Sequence, residues 1–133
     1  MGNVRQGKYE ECIDIMEEIV SIKKGVFGLG HSEFEAASEK LCEYLNLAAM
    51  MHLQREKLEL TLDYLRKAEL VARDSLALRA TTYNNLACYY RRTGKLRTAL
   101  SYLIQVRLWS LRHFHNNAGP RVGAEDGKTG HPC

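Results

Sequence analysis

Few side chains in this sequence could do chemistry, and most of their patterns fail on spacing. Gly127-Lys128-Thr129 ends like the phosphate-binding loop GxxxxGK[ST], but Val122 stands where the first glycine is required. His113, His115, His131 and Cys133 are metal-ligand types, yet the gap between the pairs is loose and nothing near them orients an imidazole. His31 and His52 fall near helix ends, places suited to capping or solvent. The acidic pairs Glu10-Glu11 and Glu17-Glu18 read as a solvated helix face. No serine, cysteine or carboxylate pair meets a base at helical spacing. No catalytic, cofactor-binding or metal-ligating residue is therefore expected.

Two stretches carry more. "TTYNNLACYYRR" (81–92) places Asn84 and Asn85 inside a helical pattern, although asparagine favours caps and turns. Each carboxamide both donates and accepts hydrogen bonds, and Arg91 and Arg92 follow closely. Between residues 96 and 114, Arg97, Arg107 and Arg112 share an amphipathic helix with leucines and Trp109. That is the basic pattern calmodulin clasps. The simpler reading packs the leucines on the preceding helix and turns the arginines to water.

The elements that must position these residues are helices. Apolar residues recur at helical spacing almost throughout, and no stretch alternates like a strand. "YEECIDIMEEIVSIKK" sets Cys12, Ile15, Met16, Ile19 and Val20 on one face. "SEFE" reads as a capping box, with Ser32 at the N-cap and Glu35 three residues on. A long helix from about Glu33 to Leu53 follows, then a turn at "QREK" and a helix "LELTLDYLRKAELVAR". Asp74 or Ser75 caps a fourth helix running through Tyr90, and a fifth spans about Lys95 to Arg112. From His113 onward the composition predicts a disordered tail, residues 113–133.

Composition bounds the class. The 133 residues suit one domain with a core, and 45% apolar with 26% charged is ordinary for a soluble protein. With no apolar run near 20 residues and no signal-peptide stretch, the chain reads as cytoplasmic. Cys12, Cys42, Cys88 and Cys133 form no CxxC, and the first three are expected as small buried thiols. Residues 1–74 hold 10 basic and 14 acidic side chains, whereas residues 75–133 hold 9 and 2. The last third suits an acidic partner but is too sparsely basic for nucleic acid.

The helices repeat. "YLNLAAMM" (44–51) lies over "YNNLACYY" (83–90), and Leu58, Thr61, Leu65 and Ala68 lie over Leu96, Ala99, Leu103 and Val106. Gly7, Tyr9, Cys12, Met16 and Ile19 repeat the second half alone. The offset falls from 39 to 38, which places an extra residue in the turn at "QREK". Tyr83-x2-Leu86-Ala87-x2-Tyr90, Gly94 and Ala99-x3-Leu103 resemble a tetratricopeptide repeat (TPR), and "GKYEEC" resembles the opening of its second helix. One repeat further resembles the kinesin light chain type. The period here is longer than the usual ~34 residues and the usual proline is missing.

The resemblance implies an all-α, right-handed solenoid of antiparallel helix pairs. It covers a domain at 1–112, with a partial repeat at 7–24, a second at about 33–73 and a third at about 76–112. Ala87 is expected to touch Ala99, and Ala48 to touch Thr61. No helix is expected to cover Leu100, Leu103, Leu108 and Leu111, so the chain reads as a fragment or shortened array prone to self-association.

The family's first helices line a concave groove, where the resemblance places Asn46 and Asn85 to bind the backbone of an extended peptide. Asn84, Arg91 and Arg92 are expected beside them. The other reading of the asparagines is a structural hydrogen bond between repeats. The lysines of the chaperone-tail clamp are missing, since Cys42, Asn46, Thr81 and Asn85 hold their places. The function implied is a non-enzymatic interaction scaffold without cofactor. The alternatives are a spacer in a cytoskeletal or ciliary assembly and a calmodulin-binding segment at 96–114.

Overall fold

In the computed structural model, the backbone is described for residues 2–117 and the side chains for residues 7–112. Five helices follow in order: α1 (Gly2–Phe27), α2 (Ser32–Gln54), α3 (Leu58–Ala72), α4 (Leu76–Arg92) and α5 (Leu96–Asn117). No strand occurs among the described residues. Each helix packs on the next, and α2 also touches α4. This is a solenoid of helix pairs, α2–α3 and α4–α5, preceded by α1. Helix α5 continues five residues past Arg112, so the expected disordered tail is helical in backbone over 113–117; the rest of it lies outside the described residues, as do the 127–129 motif, His131, Cys133 and the side chains of His113 and His115.

The turns show how local chemistry sets the pairs. Ser75 caps α4, its Oγ accepting from Leu78 N at 3.3 Å. The cap of α2 is His31 rather than Ser32: its Nδ1 accepts from Glu33 N at 3.0 Å, and its ring stacks on Phe27. Lys23 then bonds Glu33 at 2.6 Å across the turn. The chain after α2 and the chain after α4 are both three residues long, with the left-handed position filled by Glu56 (φ 61°) in one and Gly94 (φ 86°) in the other. The extra residue expected in "QREK" therefore lies in α2 itself.

Burial confirms the register and shows where it ends. Thr61 and Ala99, at the same place in α3 and α5, are both buried, as are Ala48 and Ala87. Leu65 is 0% exposed but its counterpart Leu103 is 42% exposed, because α4 covers the first and no described helix covers the second. At the other end Leu86 is 0% exposed while its counterpart Leu47 is 50% exposed.

Helix α1 differs from the expectation in which face it buries. Among its described side chains Ile13 alone is fully buried, with Tyr9 and the expected Met16 and Val20 beside it against α2. Cys12 and Ile15 are exposed. Cys12 holds the position of Thr61 and Ala99, which face the helix preceding them in their own pair, and α1 follows no described helix. The expectation of buried free thiols holds in full only for Cys42; Cys88 is buried but disulfide-bonded.

Aromatic stacking repeats as well. His52 stacks on Tyr64 with centroids 5.4 Å apart, and 38 residues on Tyr90 stacks on Tyr102 at 5.8 Å. His52 is fully buried in the last turn of α2, not solvent-facing, and burial pushes its imidazole pKa down. In the unfolded chain it titrates near 6.5, so the unfolded state binds more protons in acid. His52's contribution is full above about pH 6.5 and is lost as pH falls below it. The melting temperature should therefore drop between about pH 7.5 and 5.5, and His52→Phe, which keeps a stacked ring, should flatten that slope. Glu33, lowered by its bond with Lys23, acts in the same direction but only in a more acid window.

Candidate functional site

The two groove asparagines meet. Asn85 and Asn46 are each only 5% exposed, and Asn85 Nδ2 donates to Asn46 Oδ1 at 2.8 Å. Asn46 Nδ2 in turn donates to Thr82 Oγ1 and to Cys42 O, both at 3.0 Å. Thr82 sits one helical turn before Asn85, so the carboxamide of α2 is gripped by two residues of α4. This is how a poor helix former comes to sit in mid-helix: its side chain answers the polar groups of the neighbouring repeat. The bond between repeats, one of the two readings of these residues, is present. The Cys42 thiol closes the cluster, donating to Ala68 O at 3.6 Å, and burial pushes its pKa up.

The other three expected groove residues separate. Arg92 Nη1 donates to Leu53 O at 3.1 Å, capping the last turn of α2 from α4. Asn84 and Arg91 precede Asn85 and Arg92 by one residue, about 100° around α4. Arg91 is exposed and Asn84 half-buried.

The seam between α2 and α4 opens into a cavity towards their N-termini, two turns from the asparagine pair. It measures about 400 Å³. Its floor is apolar, from Phe34 of α2, Val71 of α3 and Leu78 of α4, and its rim carries Glu35, Glu39 and Asp74 against the single cation Arg73. Arg73 lies 5.9 Å over the Phe34 ring. No sequence motif marks this site. The period-four run Glu35-Glu39-Glu43 on α2 was its one visible sign.

Behind the seam a second network fixes α5. Arg66 of α3 donates to Tyr90 at 3.0 Å, Tyr102 at 3.3 Å and Glu69 at 3.1 Å. Tyr83 donates to Glu69 at 3.1 Å, and Arg79 lies over both the Tyr83 and Trp109 rings. Trp109 thus packs inward with Tyr102 and Val106. Leu100, Leu103, Leu108 and Leu111 stand uncovered, as expected, and of the two readings of α5 the one that packs its leucines on the preceding helix fails. Leu96, Leu100, Leu103, Ile104, Leu108 and Leu111 are exposed.

The helix pair α4–α5, with its Ala87 and Ala99 buried and Gly94 in the turn, decides the comparison with known families. Residues 79–107 match the tetratricopeptide repeat. The matched stretch runs from α4 through half of α5, where the sequence resemblance was strongest, and the finer likeness to the kinesin light chain type is not confirmed by it. Comparison with curated proteins returns no match, and neither does comparison with solved structures. A TPR indicates a protein–protein interaction module and is typically non-enzymatic. No described helix is long and apolar enough to cross a membrane, and no group of three metal-ligating side chains gathers among the described residues.

Proposed function

We propose that the α2–α4 seam of this TPR-like scaffold holds an extended segment of a partner protein. The observation that carries the reading is the cavity of about 400 Å³ between the same two helices, two turns from the Asn46–Asn85 pair. Asn85 lends its one donated bond to Asn46, which leaves its carboxamide oxygen and second N–H to meet a peptide backbone. Asn46 instead holds Asn85 in place, with Arg92 fixing the seam and Asn84 and Arg91 at its margin. The cavity, rimmed by Glu35, Glu39 and Asp74, suits a side chain with an apolar stem and a positive end. An acidic partner, expected from the charge of the last third, suits α5 rather than this cavity.

Peptides selected from a random display library on the immobilised chain test the reading. Their affinity should fall at least about fivefold in Glu39→Lys, from roughly 1 kcal/mol for a lost rim charge pair. Added salt should weaken wild-type binding in parallel. The melting temperature should hold, because Glu39 is exposed. Selected peptides that bind Glu39→Lys and wild type alike would remove the cavity from the proposal.

A further inference from the structure

The first and last described helices each present an apolar stripe to solvent, and the stripes carry opposite charge. On α1, Ile15, Ile22 and Val26 are exposed in line, with Ile19 half-buried between them. Glu11 and Glu18 flank this line on one side, and Lys8 stands two turns ahead of it. Residues 9–22 hold five acidic side chains and no basic one. Of these, Glu17 is turned to Lys67 of α3. On α5, Leu96, Leu100, Leu103, Ile104, Leu108 and Leu111 are exposed, with Arg97 and Arg107 set among them. No acidic residue occurs anywhere in α5.

Position strengthens the match. The α5 stripe includes Leu103, whose counterpart Leu65 is buried by the next repeat, so it is a surface already shaped to receive a helix. The α1 stripe includes the face of Cys12, whose counterparts Thr61 and Ala99 pack against a partner helix. A like pairing of α5 with α5 would bring arginines against arginines and leave α1 bare.

We infer that the chain assembles head to tail, the α5 stripe of one copy receiving the α1 stripe of the next. Such a contact is heterologous: it joins two different surfaces, so each added copy leaves one of each open. Apolar burial drives the contact, and Arg97 and Arg107 facing Glu11 and Glu18 set its direction. The reading is independent of the seam and stands whether or not a peptide binds there.

Sedimentation equilibrium on the full chain tests it with two variants. Leu103→Glu with Leu108→Glu spoils the α5 stripe, and Ile15→Lys with Ile22→Lys spoils the α1 stripe. All four side chains are exposed, so circular dichroism should show unchanged helix content. The wild-type mass should climb with concentration beyond a dimer. Each variant alone should stay at 15.2 kDa, and an equal mixture should give a one-to-one dimer of twice that mass. Should either variant prove misfolded, Arg97→Glu with Arg107→Glu, mixed with Glu11→Arg and Glu18→Arg, poses the same question through charge. A wild type that is monomeric at every concentration, an α1 variant that still dimerises, or a mixture of folded variants that stays monomeric overturns the inference.

Discussion

Leu65→Ala should destabilise the chain by about 2–5 kcal/mol, the cost of a cavity in a packed core. Leu103→Ala, the same change at the same place in the next repeat, should cost no more than about 0.5 kcal/mol. The two leucines share sequence position, helix type and repeat register. They differ only in what lies over them: Leu65 is sealed with Ala49, Tyr83 and Leu86, whereas Leu103 faces solvent. Denaturant unfolding of the two variants at low protein concentration, where α5 is uncovered, checks the contrast. Equal costs would mean that the register assigned to α3 and α5 is wrong.

Asn46→Ala should cost about 3–5 kcal/mol. It removes three polar contacts, each worth roughly 1 kcal/mol net, and strands the buried Asn85 amide, for which a penalty of about 1–3 kcal/mol is usual. The better helix propensity of alanine returns only a fraction of this. Asn85→Ala should cost less, about 1–3 kcal/mol, because it gives up a single bond and strands only the Asn46 oxygen, while Asn46 keeps its hold on Thr82 and Cys42. The double variant should fall short of the sum of the two, since the bond they share is lost only once. If neither substitution moves the melting curve, the asparagines do not join the repeats.

Much of this fold was legible because helices declare themselves locally. The period of the apolar residues gave five helices, Ser75 gave a cap, and the wide spacing of the first two repeats gave the length of α2. What failed depends on contacts between elements. Cys12, Ile15 and Ile19 look like a core stripe on a helical wheel, but α2 packs one position around, on Tyr9, Ile13, Met16 and Val20. His31 displaced Ser32 as a cap because stacking on Phe27 aims its ring nitrogen at Glu33 N. The Asn46–Asn85 bond spans 39 residues and exists only because α2 and α4 lie side by side. The cavity escaped for the same reason, its rim carboxylates and floor coming from three helices and a turn.

The candidate site shows the same division in what each residue does. Asn46 and Arg92 have the residue types that bind peptides in the family they resemble, yet here both are engaged within the chain, at Thr82 and at Leu53. Residue type and position cannot separate those roles, because a carboxamide or guanidinium serves either equally well. Glu35, Glu39 and Asp74 line the cavity, and Asn85 is the one asparagine of the pair proposed to face a peptide.

Residue-resolved NMR of the chain during titration with a display-selected peptide tests the seam most directly. Shifted amides should run from Glu35 and Glu39 through Leu78 to Asn85, along α2 and α4, with α1 and the outer face of α5 unmoved. Shifts concentrated on Leu100, Leu103 and Leu108 with the seam silent would contradict it.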